Sequence, residues 1–151
     1  MTKELLLKLI NTLGPSGNED NVRNLILKEI RPYVNSIKVD KMGNLVARIK
    51  GNGKKAMLTA HMDEIGLMIN KIDIKGRMSI SVLGGIEPIT LVGQTVSILT
   101  KKNDVACKGV ITFNELHEAL EIKKIPKIED MYIDAGINKK DLLKKGVEIG
   151  S

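Results

Sequence analysis

Ala56-Met57-Leu58-Thr59-Ala60 runs directly into His61-Met62-Asp63-Glu64-Ile65-Gly66. The first five residues are short and almost wholly apolar. In a chain that mixes helical and strand periods, such a run predicts a strand buried on both faces of a sheet. The C-terminal end of a strand of this kind is where open α/β sheets bind ligands, because side chains there leave the buried sheet for the crevice between loops. His61 stands at that end, with carboxylates following at Asp63 and Glu64. A neutral, oriented imidazole can ligate a divalent ion, and Asp63 can accept the other ring N–H and fix the tautomer. A His-x-Asp pair alone is ordinary surface chemistry, so the flanking sequence has to decide.

Upstream, Leu5, Leu6, Leu9, Ile10 and Leu13 recur at helical spacing until Gly14-Pro15, which predicts a helix over Thr2 to Leu13. Ser16 lies three residues before Glu19, the arrangement of a capping box, and Val22, Leu25, Ile26 and Ile30 follow with helical period. A capped second helix is expected, ending near Arg31-Pro32. From Ser36 the period becomes two, with a turn at Met42-Gly43-Asn44, so residues up to Ile49 read as a hairpin.

Downstream, the texture is that of a small all-β unit. Strands are expected over Leu67–Ile74, Arg77–Leu83, Thr95–Leu99, Val105–Thr112 and Met131–Asp134. Short helices are expected at Glu115–Glu121 and Lys139–Lys145, and Val147-Glu148-Ile149 reads as the start of a further strand. Glu87-Pro88, after Gly84-Gly85, reads as a turn. The change of texture places a boundary between residues 1–69 and 70–151. The expected class is α/β: part of a mixed sheet with flanking helices, then an incomplete small β-barrel.

Composition narrows the function classes. The 151 residues carry 42% hydrophobic and 28% charged residues, enough for an ordinary globular core. That core must be aliphatic, since Tyr33, Phe113 and Tyr132 are the only aromatics and there is no Trp. The net charge of +6 comes from lysines interspersed with Glu and Asp, and without stacking aromatics it reads as a solvated surface, not a nucleic-acid site. No apolar run reaches the roughly 18 residues of a bilayer span, and the N-terminus lacks a signal-peptide pattern, so a cytoplasmic protein with no membrane partner is expected. Cys107 is the single cysteine and reads as a small, partly buried hydrophobe. Glu115, Glu118 and Glu121, with lysines close behind, have the spacing of a solvated helix face.

The stretch Leu58 to Ile69 resembles the histidine motif of metallopeptidase family 42, the tetrahedral and glutamyl aminopeptidases, whose members are often labelled cellulases. Four further segments are similar to that family in the same order: Gly14-Pro15-Ser16-Gly17-Asn18-Glu19, Val39 to Leu45, Gly84-Gly85-Ile86-Glu87-Pro88 with Val92-Gly93-Gln94, and Ile128 to Asp134. The similarity runs over essentially the whole chain. It implies a zinc-peptidase-like catalytic segment at 1–69 and a β-barrel insertion domain for assembly at 70–151.

The resemblance also implies a function. It makes His61 a metal ligand and Asp63 the catalytic-site carboxylate that orients it, with two divalent ions, zinc or cobalt, serving the removal of N-terminal residues from peptide substrates. The family's bridging aspartate, its pair of glutamates, a further carboxylate ligand and a second histidine lie beyond the insertion domain, and this sequence ends before them. The 151-residue chain alone is therefore expected to bind metal weakly and to be inactive. The family builds homo-oligomers, dimers that assemble into tetrahedral dodecamers. His117 falls where family members commonly have a Pro-Pro-His stretch, but the prolines are missing, and it reads as a solvated histidine with an interface contact as the alternative. Two other functions compete. A noncatalytic assembly module gains from the missing ligands, whereas an endoglucanase would need two positioned carboxylates and aromatic platforms that a Trp-free chain does not supply.

Overall fold

The computed structural model describes residues 2–113 and 126–151; the expected helix at Glu115–Glu121 and His117 lie outside them. Two compact units are present, Met1–Glu64 and Ile65–Ser151.

In the first unit, helix α1 spans Thr2–Ile10 and α2 spans Asp20–Ile30. Helix α1 stops short of Leu13: Thr12 Oγ1 donates to Lys8 O at 2.7 Å while Thr12 N turns to Leu9 O at 3.1 Å, and the Asn11 side chain shares Leu7 O with its own amide. The capping box expected from Ser16 and Glu19 does not form. Helix α2 begins at Asp20 with Glu19 at its N-cap, which leaves Ser16 too far upstream, and the Glu19 carboxylate accepts instead from Gly17 N at 2.6 Å. Val22 packs on the buried Gly14, where a Cβ would come within 2.5 Å of the valine side chain.

Strands β1 (Ser36–Val39) and β2 (Leu45–Arg48) form the expected antiparallel hairpin. One carboxylate shapes its turn. Asp40 accepts from Met42 N, Asn44 N and Asn44 Nδ2, each at 2.9 Å, and the Asn44 side chain leads in holding it below the usual carboxylate range.

The buried strand expected at Ala56–Ala60 is not formed. Met57 is 86% and Leu58 98% exposed, and none of the described residues pairs with this run. A strand buried on both faces needs a ladder partner on each side and cover above and below. Lacking both here, an apolar stretch stays extended in solvent. Among the described residues of this unit, Val22 is the only buried hydrophobic side chain, while Leu6, Leu7, Ile10, Val46 and Ile49 are exposed.

The second unit is built differently. Strands β3 (Gly66–Ile72), β4 (Met78–Leu83), β5 (Thr95–Leu99), β6 (Val105–Phe113) and β7 (Met131–Asp134) make one antiparallel sheet in the order β3-β4-β7-β6-β5. Its centre is β7, where Met131, Tyr132 and Ile133 are all buried, and Arg77 stacks over the Tyr132 ring at 4.8 Å. Helix α3 (Lys139–Lys144) starts on an Asn138 side chain that accepts from Asp141 N, and it drives Leu142 into the core. Met78, Ile111, Met131, Leu142 and Val147 are fully buried.

The strand expected to begin at Val147 is a turn. Ile69 N donates to Ser151 O at 3.0 Å, Gly150 N donates to Ile69 O at 2.9 Å, and Glu148 pairs with Lys101 at 3.0 Å. Residues 146–151 thus bridge the two edge strands, from the end of β5 to the open side of β3, and satisfy backbone groups that an edge would expose.

Two consequences are measurable. Gly109 on β6 sits where a Cβ would lie 2.5 Å from Ile133 Cγ2 and 3.1 Å from Asp134 O. Gly109→Ala is expected to cost about 1–3 kcal/mol, read as a lower urea midpoint for the second unit; an unchanged midpoint would refute the close approach of β6 and β7. Truncating the core should cost far more than truncating α1: Met78→Ala about 2–5 kcal/mol, Leu6→Ala within about 0.5 kcal/mol. Equal losses in the same titration would contradict the difference in burial.

Candidate metal site

His61 lies in the extended stretch after β2, and its side chain is 86% exposed. Its ring is nonetheless held. Nδ1 is 3.1 Å from Asp63 Oδ1 and 3.1 Å from the Asp63 carbonyl oxygen. Both neighbours are acceptors, so Nδ1 carries the proton, and in the neutral ring the lone pair sits on Nε2. The Asp63 carboxyl is held below its usual range, first by the His61 hydrogen bond and then by the Ser16 side chain. It therefore stays an ionised acceptor at neutral pH, the state needed to hold that tautomer.

The loop carrying these residues is fastened at Glu64. Glu64 N donates to Gly14 O at 2.9 Å, Ser16 N donates to Glu64 O at 3.3 Å, and Pro15 and Glu64 form a parallel bridge. The Glu64 carboxylate accepts from Gly14 N at 2.9 Å. Sequence reading assigned Gly14 to Glu19 to helix capping and took Glu64, like Asp63, as a nearby carboxylate that could add to weak metal binding. A contact across fifty positions leaves no periodic trace, so no local signal pointed to it.

The donor set available to a metal is small. His61 Nε2 is free to ligate, Asp63 is engaged by His61, and Glu64 is engaged by Gly14. Among the described residues no group of three or more His, Cys, Asp or Glu side chains gathers to hold an ion. Zinc sites use at least three protein ligands, so these residues fit one ligand position of such a site and do not complete it.

The other candidates lie apart or carry no chemistry. Glu87 leads into a single 3-10 turn at Pro88–Thr90, where its carbonyl accepts from Thr90 N and Oγ1. Cys107 is half-buried against the core of the second unit, and burial pushes its thiol up. His117, Glu115, Glu118 and Glu121 are outside the described residues.

Comparison with known proteins supplies the family. Residues 43–151 match the sequence model of the M42 glutamyl aminopeptidases. A provisionally named aminopeptidase of Acetivibrio thermocellus is 42% identical over 147 residues, covering 97% of this chain and 42% of the relative. The TET aminopeptidase of a marine sediment archaeon of the Thaumarchaeota superposes with a TM-score of 0.89 at 32% identity, over 99% of this chain and 42% of that one. A structure titled as the TET1 peptidase of Pyrococcus horikoshii, which can assemble into a tetrahedron or a large octahedral shell, superposes with a TM-score of 0.85 at 32% identity, over 100% and 45% of the two chains. The chain thus spans less than half the length of these relatives. No helix among the described residues is long and apolar enough to cross a membrane. With the family model matched over residues 43–151 and the fold shared along the chain, this protein belongs to the M42 glutamyl aminopeptidase family.

Proposed function

We propose that the chain is the N-terminal part of a metal-dependent aminopeptidase, with His61 a ligand to one of two divalent ions, zinc or cobalt, and Asp63 the carboxylate that sets its tautomer. The observation carrying this reading is the state of the imidazole: Nδ1 is committed to two acceptors, and Nε2 points its lone pair away from them. A carboxylate placed in this way orients the ring and fixes its tautomer. A divalent ion bound there supplies Lewis-acid activation of a carbonyl and a lowered pKa for bound water. The remaining ligands and the general base come from outside residues 1–151, in keeping with the share of the relatives that the chain covers.

In this reading residues 1–69 belong to the catalytic part and 70–151 to an assembly part, peptides are the substrates, and the cytoplasm is the location. The TET relative's tetrahedral or octahedral assembly supports a homo-oligomer. The exposed Met57 and Leu58 are covered in the complete enzyme, where the Ala56–Ala60 run finds its ladder partners.

A second reading, a noncatalytic assembly module, is favoured by one observation: among the described residues no three metal-ligating side chains gather around His61 or elsewhere. The native polypeptide separates the two. An intact mass well above 16.6 kDa, together with chelator-sensitive hydrolysis of aminoacyl chromogenic substrates, is expected for the enzyme; a mass at that value without hydrolysis would select the module. Calorimetric titration of the 151-residue chain with zinc should show no tight stoichiometric binding, because one ligand is too few. In the complete enzyme Asp63→Asn is expected to weaken metal affinity about 10–100-fold, and an unchanged affinity would remove Asp63 from this role.

A further inference from the structure

His61 has no packed neighbours to hold it, because its side chain is 86% exposed and the residues before it form no sheet. Its orientation depends on the backbone of residues 61–64. Nδ1 meets both the carbonyl and the carboxylate of Asp63, a geometry that requires the backbone at Asp63 to be fixed relative to His61. The described hydrogen bonds that tie this loop to the body of its unit are one from the Ser16 side chain to the Asp63 carboxylate and three through Glu64. Its amide and carbonyl bond to Gly14 O and Ser16 N, and its side chain accepts from Gly14 N at 2.9 Å. Gly14 is in turn buried against Val22 of α2, so the anchor sits at the one buried hydrophobic side chain among the described residues of the first unit.

We propose that Glu64 is a positioning residue for His61, acting as a clamp that seats the 61–64 loop on Gly14–Ser16 and so holds the imidazole with Nδ1 on Asp63 and Nε2 presented for ligation. The proposal rests on the reading of His61 as a ligand only for its purpose; the clamp itself is a property of this chain. The side chain matters more than the two backbone bonds, because a carboxylate accepting from an N–H makes a charge-assisted bond, stronger than its neutral counterparts. It also occupies Gly14 N, whose burial makes an unpaired donor costly. Glu64 consequently does not serve as a metal ligand, although it lies three residues from His61. The Gly14-Pro15-Ser16-Gly17 stretch gains a role apart from helix α2: it is the seat of the clamp, and Ser16 also steadies the Asp63 carboxylate.

The test uses the 151-residue chain labelled with 15N, so that the tautomer of neutral His61 is read from its ring nitrogen shifts, in the wild type, Glu64→Ala, Glu64→Gln and Asp63→Asn. The wild type should show the Nδ1–H form. Glu64→Ala should lose it for the mixture of a free imidazole, with loss of the Gly14 amide's hydrogen-bonded shift, whereas Glu64→Gln, which keeps an acceptor oxygen, should retain it. Val22 methyl signals report whether the first unit remains folded; should Glu64→Ala unfold it, the comparison of wild type with Glu64→Gln still decides. Three results overturn the proposal: a wild-type His61 without the Nδ1–H form, a Glu64→Ala protein with the wild-type tautomer, or a Glu64→Gln protein that has lost it. Failure of the metal reading looks different. In that case the tautomer follows the clamp as expected, while zinc or cobalt added to the complete enzyme leaves the His61 Nε2 signal where it was.

Discussion

An aliphatic core has to be closed on every side, and among the described residues one place achieves it. Met78, Ile111, Met131, Leu142 and Val147 are fully buried in the second unit, drawn from the three inner strands β4, β6 and β7, a short helix and the segment that follows it. No aromatic ring larger than Phe113 or Tyr132 is available to fill space, so closure falls to many small contacts and to complete pairing of the strand backbones. Gly109 shows how tight the fit is, since β6 and β7 approach so closely over it that even a methyl group has no room. The first unit has no comparable centre, and Val22 against Gly14 is as near as it comes.

That contrast bears on chemistry. A metal ligand on a well-packed strand is held by its neighbours; His61 is held by hydrogen bonds within its own loop and by the fastening at Glu64. Polar contacts of this kind are directional and set a tautomer, which apolar packing cannot do. They are also exposed to solvent, where each bond competes with water. The arrangement suits the ligand role proposed for His61, because hydrogen bonds within the loop fix which ring nitrogen carries the proton without help from packed neighbours.

Much of the fold was legible in the sequence where the deciding forces are local. Strands β5 and β7 fall on the expected residues, the hairpin of β1 and β2 follows its Gly43 turn, and α3 begins on the Asn138 cap. Reading failed where the outcome depends on partners distant in the chain. Ala56–Ala60 has the composition of a doubly buried strand, but a strand is defined by what pairs with it, and no described residue does. Ser16 and Glu19 have capping-box spacing, yet Ser16 is claimed by Glu64 and Asp63, across almost fifty positions. Val147-Glu148-Ile149 has strand residues and forms no strand: the only bonds to β3 among the described residues here run from Gly150 and Ser151 to Ile69. At the site, His61 and Asp63 could be picked out from type and spacing, whereas Glu64 and Gly14 could be found only from their contact.

The hydrogen bonds between Ile69 and the 150–151 turn have an architectural meaning as well. They lay residues 150–151 against the outer backbone of Ile69, on the strand that opens the second unit, so part of that unit's rim is sealed by chain remote in sequence. A rim sealed in this way offers no free N–H and C=O pair at that point to a strand of another molecule. The contact thereby guards one edge of the sheet against strand-to-strand aggregation.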